Sequence, residues 1–82
     1  MEEKQIGIIA HYYDHLGVGI VELTEALKVG DAIHIKGHSS DFMEMVASMQ
    51  VEHASVQEAK KGDIIGLKLS QKVHVHDKVY KA

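Results

Sequence analysis

The sequence contains no cysteine, no proline and no arginine. Without cysteine there is neither a disulfide framework nor a thiolate metal site. Without proline, no slowly isomerising bond or proline-rich linker can be placed. Without arginine every basic residue is a lysine, which lacks the planar fork that grips phosphate or guanine in two places. No apolar run approaches the roughly 18 to 20 residues of a membrane span. The start, Met1-Glu2-Glu3-Lys4, lacks the basic-then-apolar layout of a secretory signal. A soluble, cytoplasmic protein with a single domain over residues 1–82 is the expectation.

Among the features present, a hydrophobic content of 45% suffices for a core and is too high for disorder. The net charge is −3, but it is unevenly placed. Residues 1–59 hold three lysines against ten acids, whereas residues 60–82 hold six lysines against two acids. The basic third comprises Lys60, Lys61, Lys68, Lys72, Lys78 and Lys81, and these are the candidate phosphate contacts. A solvated surface is the plainer reading of the same residues.

A turn-plus-strand unit recurs. In Leu27 to Gly37, Gly30 occupies the third place of a type II turn through Lys28, Val29, Gly30 and Asp31, a place that requires positive φ. Ile33 and Ile35 then alternate with His34 and Lys36, the period of a half-buried strand. Lys61-Gly62-Asp63-Ile64-Ile65 repeats the pattern, and Val75-His76-Asp77-Lys78-Val79 repeats it with His76 in the glycine position. The structural turn residues are therefore Gly30, Asp31, Gly62, Asp63, His76 and Asp77. Three such units in so short a chain predict a small all-β barrel.

In order, Gln5 to about Tyr13 reads as a strand, with Ile6, Ile8, Ala10 and Tyr12 on one face and Ile9, His11 and Tyr13 on the other. Asp14 to Gly17 reads as a turn and Val18 to Leu23 as a strand, with Gly19 leaving room for a close neighbour. Gly37-His38-Ser39-Ser40 closes the strand of Ile33 and Ile35. The next segment is ambiguous. Phe42, Met45, Val46 and Met49 have helical spacing, with Asp41 and Glu44 as a capping box. Strand alternation fits as well, placing Met43, Met45, Ala47, Met49 and Val51 on one face. Ser55 and Glu58 form a second possible capping pair before Gly62.

The run Val51-Glu52-His53, then Val56 through Leu67, resembles the second domain of elongation factor Tu and related translational GTPases. Leu27 to Asp31 with Ile33 and Ile35, and Asp77-Lys78-Val79, match further parts of that domain. The chain is most similar to small stand-alone elongation-factor-like proteins and to the barrel that ends some collagenase-like peptidases. The resemblance implies a closed antiparallel barrel of about six strands, with Asp41 to Val51 extended. It also implies contact with RNA, tRNA or the ribosome, or else an adaptor role towards a protein. Gln50 stands where the factor has a glutamate near the terminal adenosine of tRNA, a departure from the pattern. The family's GTPase activity lies in another domain, and this chain has no Gly-x4-Gly-Lys-Ser/Thr loop, so no GTP binding is expected.

Other chemistry finds little footing. Seven histidines are many for 82 residues, and His74 with His76 would project together from one strand as a weak metal pair. His11 with His15, and His34 with His38, have i, i+4 spacing in non-helical segments. Zinc usually needs three protein ligands, and no local trio is present, so no metal and no cofactor is expected. Ser39, Ser40, Ser48, Ser55 and Ser70 lack an elbow motif. Tyr12, Tyr13, Phe42 and Tyr80 could stack on bases, though packing explains them as well. A non-enzymatic module is the reading carried forward.

Overall fold

Three turns fix the geometry of this chain. The computed structural model describes residues 4–38 and 40–82; the Met1–Glu3 start and Ser39 lie outside them. In each turn an amide closes the i to i+3 bond: Asp31 N to Lys28 O at 3.1 Å, Asp63 N to Lys60 O at 3.0 Å, Asp77 N to His74 O at 3.1 Å. The aspartate carboxylate then reaches back to accept the first residue's amide, from Lys28 at 3.1 Å, Lys60 at 2.9 Å and His74 at 2.9 Å. The third residue has positive φ each time: 98° at Gly30, 92° at Gly62 and 77° at His76.

Each turn also clamps one buried residue of a neighbouring segment. Gly30 donates to Val46 O and Val46 donates to Asp31 O. Gly62 and Asp63 hold Leu23 in the same way, and His76 and Asp77 hold Ile9. The device is therefore a pair of backbone bonds repeated three times around one core. A histidine in the left-handed region costs roughly 1 kcal/mol against glycine, and His76 is exposed. His76→Gly should accordingly raise the unfolding free energy by up to that amount in a denaturant titration. A loss of stability would show that the imidazole itself contributes.

The strands are β1 Lys4–Tyr13, β2 Val18–Leu23, β3 Leu27–Lys28, β4 Ala32–Lys36, β5 Asp41–Met45, β6 Met49–Val51, β7 Ala54–Val56, β8 Glu58–Ala59, β9 Ile64–Lys68 and β10 Lys78–Lys81. Eight of them form one antiparallel sheet in the order β5-β4-β10-β1-β2-β9-β6-β7, and β3 pairs with β8 separately. The fold is all-β, and among the described residues no helix is long and apolar enough to cross a membrane. The sheet curls around Ile9, Val21, Ile33, Ile35, Ile65 and Val79, all fully buried.

Several expectations need correction. The barrel is not closed by six strands; the sheet is an open half-barrel whose edge strands are β5 and β7. The reason lies at Val46, whose backbone is taken by the Gly30–Asp31 turn, so the chain leaves β5 there. Glu44 spans the opening with its side chain instead, accepting Ser70 N at 2.8 Å and Ser70 Oγ at 2.7 Å. For the same reason Asp41 to Val51 is extended but is two strands. Met43 and Met45 are exposed while Val46 and Met49 are buried, so the single-face alternation breaks. Residues 54–59 form β7 and β8, not a helical turn.

Strand β1 departs from strict alternation because it carries two irregularities, between Gln5 and Gly7 against β10 and between Ile9 and His11 against β2. Each inserts one residue and flips the face that follows. Ile6 and Ile9 thus both enter the core, and Ile8 faces out.

Candidate interaction groove

Outward-facing residues of β2 and β9 pair as Val18 with Lys68, Ile20 with Gly66 and Glu22 with Ile64. Gly66 also faces Gln50 of β6. Lacking a side chain, Gly66 leaves a depression; a Cβ there would touch Val18 Cγ1 at 3.5 Å and Ile20 Cδ1 at 3.8 Å. The depression is the floor of a groove of about 720 Å³, within the range of ligand-sized clefts. One lip is the β1–β2 hairpin with Tyr13 and Leu16, and the other is the β6–β7 hairpin with Val51, Glu52 and His53. The Tyr13 ring is braced edge-on by His11 at a centroid distance of 4.5 Å.

The groove is apolar and uncovered. Leu16 is 63% exposed, Ile64 58% and Tyr13 47%, a contiguity that isolated surface hydrophobics do not have. The second lip is strained: Glu52 and His53 have φ of 50° and 67°, left-handed positions that a two-residue hairpin usually gives to Asn or Gly. Strain of this kind gathers at binding sites. Gln50, Glu52, His53 and Asp63 supply polar groups at its margin. Such a groove can hold an apolar side chain or an extended segment and orient it by a few hydrogen bonds.

The six lysines are not assembled into one basic face. Lys60 and Lys81 meet at a pocket beside Lys28, which is distant from both in sequence. Lys61 and Lys68 flank β9 at opposite ends. Lys78 lies across from Lys36, and Lys72 reaches Asp14 at 3.9 Å. The histidines are also dispersed. His74 and His76 lie in the third turn, not a strand, and His74 Nδ1 sits 4.0 Å from Asp77 Oδ2. Among the described residues no group of three histidines or acids could hold a metal ion.

His34 of β4 hydrogen-bonds the carboxylate of Asp41 at the start of β5. That hydrogen bond, aided by the charges of His34 and Lys36, lowers the Asp41 pKa from its ordinary value. A carboxyl whose folded pKa is depressed stabilises the fold above its unfolded pKa, near 3.9, and loses this as pH falls through the folded value. Asp41→Asn should therefore flatten the stability curve only below about pH 4. An unchanged acid limb in a pH series of thermal melts would remove the pair from the account.

No family model matches the chain. A curated relative, an "uncharacterized protease" of Methanocaldococcus jannaschii, is 40% identical over 77 residues, covering 93% of this chain and 19% of the relative. The chain thus spans about a fifth of the length of the curated relative it matches. The C-terminal domain of a Geobacillus thermoleovorans "putative U32 peptidase" superposes with a TM-score of 0.90 at 17% identity, covering 98% of this chain and 92% of that one. Its selenomethionine variant superposes with a TM-score of 0.91 at 16% identity, covering 95% and 99%. These findings support the likeness to a barrel that ends collagenase-like peptidases, and support neither the likeness to elongation factor Tu nor the RNA and ribosome reading. The chain has the fold of the C-terminal domain of a U32 peptidase-type protein.

Proposed function

We propose that this chain is a non-catalytic interaction module that docks a peptidase-like protein through the groove between the β1–β2 and β6–β7 hairpins. One observation carries the reading: nearly all of the chain corresponds to about a fifth of a protein named as a protease, so the same unit elsewhere accompanies a much larger body. The exposed Leu16, Ile64 and Tyr13 give that body an apolar surface to cover. Aromatic and aliphatic anchors in a depression are the usual centres of such contacts.

The test uses the Methanocaldococcus relative shortened by the segment matching this chain. The intact 82-residue chain, added separately, should co-sediment with it at micromolar concentrations. Ile64→Asp buries a charge in the proposed contact and should weaken binding by tenfold or more. The exposed position predicts an unchanged melting temperature for that variant. Absence of a complex, or a complex indifferent to Ile64→Asp, removes the groove from the reading.

A further inference from the structure

A second cavity, of about 290 Å³, opens between the β3–β8 ribbon and β10 and shares no lining residue with the groove. Its floor is aliphatic: Ala26 beside Leu27 and Ala59, which face each other across the ribbon and are each 2% exposed. Its margin carries three ammonium groups from separate segments, Lys28, Lys60 and Lys81. Asp31 and Glu58 complete it.

The charges are unequally engaged. Asp31 Oδ2 accepts the Lys28 amide at 3.1 Å and lies 3.8 Å from Lys81 Nζ, so that carboxylate already serves the turn and one lysine. Glu58 stands across the ribbon from Lys28. Neither the Lys28 nor the Lys60 side chain has an acid within ion-pairing distance among the described residues, although their amides are held by Asp31 at 3.1 Å and Asp63 at 2.9 Å. The pocket therefore combines a surplus of one positive charge with an aliphatic floor. An inorganic anion would gain nothing from that floor, whereas a carboxylate on a short aliphatic chain would use both parts.

We propose that this pocket binds a carboxylate carried on a short aliphatic chain, with Lys28 and Lys60 as its cations and the exposed Ala26 against the methylenes. The source can be a free small acid or the acidic end of a polypeptide.

The experiment is a titration of the isotope-labelled full chain, read by its backbone amide resonances, with three probes: glutarate, an acetylated peptide ending in Ala-Glu, and inorganic phosphate. Glutarate, the peptide, or both should produce saturable shifts at residues 27–31 and 58–60, with a dissociation constant on the order of 1–10 mM. The stronger of the two identifies the source. Lys60→Gln, at an exposed position, should keep the native spectrum and weaken binding about threefold to fivefold. The proposal is overturned if neither carboxylate saturates, if phosphate gives equal shifts, or if Lys60→Gln binds as the wild type does.

Discussion

Gly37→Ala should unfold this protein at temperatures where the wild type is intact. The loop after β4 brings Gly37 against the carboxylate of Asp77, and a Cβ at residue 37 would fall inside that carboxylate. Asp77 cannot move aside freely. It is 4% exposed, accepts the His74 amide at 2.9 Å, and its own carbonyl accepts Ile9 N at 2.8 Å. Displacing it would open the third turn and release a buried charge from its donor. Overpacking costs about 1–3 kcal/mol and loss of a charge-assisted bond about 1.5–3 kcal/mol. A domain of this size is stable by only about 5–10 kcal/mol, so the melting temperature should fall by 10 °C or more. An alanine tolerated within about 3 °C would mean that the third turn does not pin the fold.

The second large effect separates two adjacent isoleucines. Ile9 is fully buried and its backbone is clamped by His76 and Asp77, whereas Ile8 is 36% exposed. Ile9→Ala leaves a cavity that the clamped backbone cannot collapse, at about 2–5 kcal/mol. Ile8→Ala removes half-solvated surface and should cost under about 1 kcal/mol. Denaturant midpoints of the two variants measure the difference. Equal losses would contradict the shift between Gln5 and Gly7 that turns Ile9 inward and Ile8 outward.

Those isoleucines also mark where the sequence stops being legible. The Val18–Leu23 strand and the three aspartate turns are readable because each is a local pattern: alternation, or glycine and aspartate at fixed offsets. The irregularities in β1 are not readable, since they exist only against β2 and β10. The break at Val46 is set by a turn fifteen residues earlier in the chain, at Asp31, and so escapes any window centred on residues 41–51. The β6–β7 hairpin hides for another reason. Glu52 and His53 carry none of the usual turn chemistry, so the second lip of the groove has no sequence signal. Gln50, a departure from the elongation factor Tu pattern, lines the groove. Proximity in sequence is a poor guide to the lysines, because Lys60 and Lys81 line one pocket with the distant Lys28, whereas Lys68 ends β9 and Lys72 reaches Asp14.

The proposed partner meets one surface of this chain. Amide resonances of the labelled chain, recorded with and without the shortened Methanocaldococcus relative, locate that surface directly. The groove reading predicts perturbations centred on Val18, Ile20, Gly66 and the 50–53 hairpin, with Met43 and Met45 on β5 unaffected. Perturbations confined to β5, or an unchanged spectrum with the relative but a salt-dependent response to RNA, would contradict it.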